Sequence, residues 1–168
     1  MVKYIKYIAI ILILIVISII VFYFSEKISP EQQIENQIIK FLSKASKSPG
    51  DKLSTGLLKS KSLESLFAPH CRFSVGVSSF SGNYTPLQIS NNSMRCRTIF
   101  NRVRFRAYDI EINLISQGTA TVNFTASING LTKRGEAIDD YKELTCKLRS
   151  IEGKWLIYAI AIREIMKK

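Results

Sequence analysis

Residues 119–129 read TATVNFTASIN, and their alternation decides the fold. Ala120, Val122, Phe124, Ala126 and Ile128 fall on one side, and Thr121, Asn123, Thr125 and Ser127 on the other. A period of two with one apolar and one polar side marks a strand with one face on a core and one in water. Asn129-Gly130 begins a turn after it. A Ser116-Gln117-Gly118 turn separates it from a strand over 102–115. Two more strands are expected over 136–149 and 154–165, split by Glu152-Gly153. The last third of the chain is therefore a long antiparallel meander.

Upstream the periodicity changes. Ser29-Pro30-Glu31-Gln32 opens a helix: serine caps, proline suits the first helical position, and Gln32 completes a capping box. Ile34, Ile38, Phe41, Leu42 and Ala45 recur at helical spacing, while Lys40, Lys44 and Lys47 line another face. Ser48-Pro49-Gly50 ends this helix. Asp51 to Lys61 reads as a second helix carrying Leu53, Leu57 and Leu58, followed by a helical turn over 62–67. APHCRFSVGVSSF (68–80) holds a strand. Thr85-Pro86-Leu87-Gln88 repeats the capping motif and opens a third helix to about Phe100, with weak apolar periodicity. Helices first and then a meander make an α+β domain.

Residues 7–24, YIAIILILIVISIIVFYF, contain no charge and no proline. A run of this length is read as a transmembrane helix. The chain thus divides into a stub (1–6), a span (7–24), a short linker (25–29) and a domain (30–168). A cleaved signal is the alternative, but the apolar centre is too long for one and no A-x-A pattern follows. Phe22, Tyr23 and Phe24 suit the membrane–water boundary of an uncleaved anchor. Lys3 and Lys6 place the N-terminus in the cytoplasm, which puts the domain outside a single-pass cytoplasmic membrane protein. Because Lys40 and Lys44 follow closely, a domain on the cytoplasmic leaflet is the competing topology. With so short a linker, the stripe of Lys40, Lys44 and Lys47 either meets anionic lipid or is a solvated helix face.

Without Lys3 and Lys6, 22 Lys and Arg stand against 13 Asp and Glu, a net +9. Such a balance attracts phosphate, nucleic acid, anionic lipid or an acidic partner. Charge alone does not identify a nucleic-acid binder, and none is expected, because the main arginine stripe lacks aromatic interleaving beyond Tyr108. Cys71, Cys96 and Cys146 have no zinc spacing, and His70 is the only histidine. No metal or other cofactor is expected. Cys146 alternates with Leu144 and Leu148 as a buried thiol would. In an oxidising compartment Cys71 and Cys96 are the candidate disulfide; free thiols are the alternative.

Three segments carry a resemblance: LESLFAPHCRFSV (63–75), GTATVNFTASI (118–128) and KELTCKLRSIEGKWLIYAIAI (142–162) with Trp155. Their order resembles the nuclear transport factor 2-like, or SnoaL-like, superfamily over residues 30 to 165. That resemblance implies a cone-shaped domain, about three helices packed on a curved antiparallel sheet around a pocket. Some members of the superfamily are isomerases, dehydratases or hydrolases, and many others bind or assemble. The layout of one span and an external domain is similar to inner-membrane assembly components of type IV secretion systems. The resemblance also implies a homodimer formed through the sheet, or a larger envelope complex.

Within 102–115, one face holds Arg102, Arg104, Arg106, Tyr108, Ile110, Ile112 and Leu114; the other holds Val103, Phe105, Ala107, Asp109, Glu111 and Asn113. If the Ile110 face lines the cone, Asp109 and Glu111 point out, and an acid–base pair has no home. Asp139 and Asp140 fall on opposite faces. There is no nucleophile elbow, phosphate loop or zinc signature, so no catalytic residue is expected. Arg95, Arg97, Arg102, Arg104 and Arg106 lie within twelve residues. Arg102, Arg104 and Arg106, leading to Tyr108, form either an anion site at the cone mouth, a docking stripe for a partner, or a solvated edge. The expected function is non-enzymatic: assembly or binding by an extracytoplasmic domain, within a secretion or envelope complex. The alternative is a membrane-tethered small-ligand binder, or an isomerase- or dehydratase-like enzyme, using the cone pocket. A collapsed interior favours the first and an open cavity with convergent polar groups the second.

Overall fold

The computed structural model describes residues 28–76, 81–116 and 118–164. The expected span (7–24), with its stub and most of its linker, lies outside these residues, as do 77–80, Gln117 and Ile165. Among the described residues no helix is long and apolar enough to cross a membrane.

Helix α1 runs Pro30–Ala45, and Ser29 Oγ accepts from Gln32 N at 3.2 Å. Its buried residues are Ile34, Ile38 and Leu42, the i, i+4, i+8 stripe expected from the sequence. Each such side chain contributes about 1.5–3 kcal/mol on burial. Ser46 ends the helix by donating its N–H and its hydroxyl to Leu42 O, at 3.0 and 2.8 Å. The chain then joins the sheet edge: Lys47 N donates to Val103 O (2.7 Å) and Val103 N to Lys47 O (3.0 Å). Lys47 therefore does not extend the lysine stripe of α1.

Helix α2 runs Leu53–Leu63. Its buried residues are Gly56, Ser60 and Leu63, whereas Leu53, Leu57 and Leu58 are exposed. Ser60 Oγ donates to Ser93 Oγ at 3.3 Å on helix α3, Pro86–Ile99. The contact of α2 with α3 is made on this side of the helix, and the three leucines lie on the other. Thr85 and Gln88 make both halves of the capping box at the start of α3.

The strands are β1 Phe67–Val75, β2 Gly82–Tyr84, β3 Phe100–Ser116, β4 Thr119–Thr132, β5 Ala137–Ile151 and β6 Lys154–Glu164. They form one sheet in the order β2-β1-β6-β5-β4-β3. The sheet is mixed, not wholly antiparallel as expected. The meander β3 to β6 is antiparallel, but its last strand lies parallel to β1. Since β2 and β3 occupy opposite edges, α3 carries the chain from one edge to the other. Glu152 and Gly153 both take positive φ (50° and 74°), the backbone a two-residue hairpin between β5 and β6 requires.

A bulge corrects the expected faces of β3. Tyr108 pairs with Thr125 and Glu111 with Asn123, so β3 carries one extra residue there, and Asp109 sits at φ 52°. Val103, Phe105 and Ala107 face the core before the bulge, and Ile110 and Ile112 after it. The arginines therefore do not share a face with Ile110 and Ile112. The core joins Ile34, Ile38 and Leu42 of α1 to Val122 and Phe124 of β4, Cys146 and Leu148 of β5 and Ile157 and Ile160 of β6.

Candidate ligand-binding cavity

Beside this core the helices and the sheet leave a cavity of about 370 Å³. Helix α1 contributes Phe41 and Ala45, β1 Phe73 and Val75, and β3 Phe100, Val103 and Phe105. Ile162 of β6, Leu63 of α2 and Tyr84 of β2 complete the apolar wall. Aromatic contacts stiffen one side: Phe41 meets Phe67 edge-on at 5.6 Å, and Phe73 meets Tyr84 edge-on at 5.4 Å.

Helix α3 supplies the polar part. Ile89, Asn92, Ser93, Cys96 and Arg97 all line the cavity. Their spacing, i, i+3, i+4, i+7, i+8, is one helical face. This explains the weak apolar periodicity of the segment: its inward face changes from Ile89 to polar side chains along its length. That spacing was the available signal for the site. It was hidden because the inward stripe is mostly polar, and because Arg97 reads as one member of a cluster of surface arginines.

Arg97 is 5% exposed. Its Nη2 donates to Lys44 O at the end of α1. Its Nη1 stands 3.9 Å from Asp51 Oδ2, an ion pair beyond hydrogen-bond distance. Nε and Nη1 are buried without a hydrogen-bond partner among the described residues. Asp51 Oδ2 accepts instead from Lys59 Nζ at 2.8 Å and Ser48 N at 3.2 Å. The Lys59 hydrogen bond holds the Asp51 carboxyl below its ordinary range, against the opposing effect of burial. Lys47 Nζ donates to Arg97 O (2.9 Å) and Phe100 O (2.6 Å) at the C-terminal end of α3. Burial, then the charges of Lys133 and Arg97, pull the Lys47 ammonium below its ordinary value. Burial does the same to Arg97, with Asp51 opposing.

The residues expected to form a site lie elsewhere. Arg102, Arg104, Arg106 and Tyr108 are exposed, and none lines the cavity. They border a separate groove of about 460 Å³ on the other sheet face, with Ser127, Asn129, Asp139 and Tyr141. The bulge at Asp109 puts them there. Of the lysines expected to face lipid, Lys40 is exposed, Lys44 is half-buried, and Lys47 turns inward to α3. Cys71 and Cys96 are not bridged: both are free thiols, Cys71 buried on β1 and Cys96 exposed on α3. Asp140 pairs with Lys142 at 3.1 Å. His70 is exposed on β1. No carboxylate or imidazole of the described residues lines the cavity. Among them, no three His, Cys, Asp or Glu side chains are grouped to hold a metal ion.

No family model matches the chain, and no curated protein matches it. Solved structures do match. A putative scytalone dehydratase from Novosphingobium aromaticivorans superposes with a TM-score of 0.66 at 17% identity, over 81% of this chain and 84% of that one. The fold is the nuclear transport factor 2-like cone. A putative calcium/calmodulin dependent protein kinase II association domain from Xanthomonas campestris gives a TM-score of 0.64 at 16% identity, over 83% and 91% of the two chains. A hexachlorocyclohexane dehydrochlorinase from Novosphingobium barchaimii gives 0.60 at 14% identity, over 79% and 84%. At these identities the cone is what is shared, with no residue roles carried over.

Proposed function

We propose that this chain is a membrane-tethered binding protein whose cone takes up a small, largely apolar molecule. One observation carries the proposal: a cavity of about 370 Å³ with aromatic and aliphatic walls and a few polar groups gathered on one helix face. That volume and composition suit a small-molecule site. Two of the solved structures sharing the cone are named as a dehydratase and a dehydrochlorinase. Eliminations of that kind call for a base placed at the reacting carbon. The described lining offers Asn92, Ser93, Cys96 and Arg97 but no carboxylate or imidazole, which favours binding over such chemistry. The tether is residues 7–24, N-terminus inside and domain outside.

The test uses the full chain in neutral-lipid nanodiscs, with thermal unfolding followed by far-ultraviolet circular dichroism. A neutral bicyclic probe, 2-(1-naphthyl)ethanol, is expected to raise Tm saturably. Asn92 is exposed yet lines the cavity, so Asn92→Trp should fill the site without loss of fold and abolish the rise. A rise that survives Asn92→Trp, or none in the parent chain, would overturn the proposal.

A second function, assembly within an envelope or secretion complex through a homodimer, is favoured by the outer groove. There Arg102, Arg104 and Arg106 stand with Tyr108 and Tyr141, all exposed. Arginine and tyrosine are enriched at protein interfaces.

A further inference from the structure

An apolar ligand alone would leave one wall of the cavity unsatisfied. Arg97 is 95% buried, yet two of its nitrogens, Nε and Nη1, have no hydrogen-bond partner among the described residues. Burying a cation with donors unmade is costly, and such groups are normally paired. The nearby carboxylate does not meet the need. Asp51 Oδ2 is drawn to Lys59 at 2.8 Å and to Ser48 N at 3.2 Å, and is left 3.9 Å from Arg97 Nη1. Lys47 is occupied with main-chain oxygens of Arg97 and Phe100. Three cations thus gather around one carboxylate, and the one with unused donors, Arg97, borders both the cavity and a smaller hollow of about 210 Å³ on the Asp51 side.

We infer that the cavity is built for an amphiphilic monocarboxylate, whose head lies against the Arg97 guanidinium while its apolar body lies against Phe41, Phe73, Phe105 and Ile162. The proposal deepens the binding function above and rests on it. Lys59 and Lys47 already have oxygen partners, so the unused donors are those of one guanidinium. A single guanidinium suits a carboxylate head. Arginine suits the task because it keeps its charge when buried and presents several donors to a carboxylate. Asn92 and Ser93, one turn earlier on the same helix face, add polar groups beside the head.

The experiment compares two probes of nearly equal shape, 1-naphthylacetate and 2-(1-naphthyl)ethanol, titrated into the full chain in neutral-lipid nanodiscs at pH 7. The acid is expected to bind at least about tenfold tighter than the alcohol. Arg97→Met should bring the acid down to the alcohol's affinity. Arg97→Lys, which keeps the charge with fewer donors, should retain only part of the preference. Arg104→Gln, on the outer groove, should change neither. Equal affinities in the parent chain would overturn the carboxylate assignment while leaving the cavity as a binding site. Failure of both probes would overturn the binding function itself. A preference that survives Arg97→Met and disappears in Arg104→Gln would move the anion to the outer groove and overturn the proposal. The parent-chain comparison decides the ligand class even if Arg97→Met does not fold.

Discussion

Arg97 and the three cysteines show how much depends on where a single side chain points. Arg95 and Arg97 are two positions apart on α3, and one is exposed while the other is among the most buried polar residues of the domain. Helical geometry separates them by about 200°, two steps of 100° each. The cysteines differ in the same way. Cys96 is exposed, and burial pushes the Cys71 thiol up to about 12. Burial raises Cys146 as well, with a smaller effect of Cys71 nearby. Thiolate is the reactive form, so at pH 8 only about one Cys71 in ten thousand would be ionised. Titration with a disulfide reagent is expected to find one fast thiol in the native chain and three after denaturation. A Cys71–Cys96 bridge would instead give no fast thiol and a single one after denaturation.

At the scale of elements, legibility followed chemistry that acts within a few residues. The Thr85 capping box, the stripe of α1 and the Glu152-Gly153 turn are local and formed as expected, whereas Ser29 makes only the Gln32 N half of its box, and the alternation of β4 holds to Ala126, beyond which Ser127 is buried and the strand continues through Asn129-Gly130 to Thr132. What failed depended on neighbours. The second helix carries Leu53, Leu57 and Leu58, but its buried side is Gly56, Ser60 and Leu63, with Ser60 meeting Ser93 of α3. The bulge in β3 has no local signature, since Asp109 alternates as well as any other residue of that strand. Its aspartate is nonetheless suited to the place, because Asp tolerates positive φ better than most residues. Asp109→Val is expected to destabilise the domain by about 1–2 kcal/mol, and Asp109→Gly to be close to neutral. Urea unfolding measures both, and equal midpoints would mean the backbone there is not strained. The candidate site was half legible for the same reason: its helix and boundaries could be read, but its inward direction needed the sheet.

For the whole molecule, the cone was readable from the order of elements, while its mixed sheet was not. Parallel pairing of β1 with β6 joins segments from the two ends of the domain, and no local pattern announces it. The proposed topology is open to a direct measurement. Alkaline phosphatase fused after residue 168 is expected to be active and a green fluorescent protein fused there dark. The reverse would place the basic domain on the cytoplasmic leaflet. The parallel pair also bears on how the chain is made. Phe73 and Ile160 are partners although their numbers differ by 87. A ribosome delivers β1 long before β6 exists, and closing so long a loop is slow. Until the final strand emerges, the edge of β1 that will receive it keeps its N–H and C=O groups unpaired, open to pairing with another chain during synthesis and closed to it once β6 has docked.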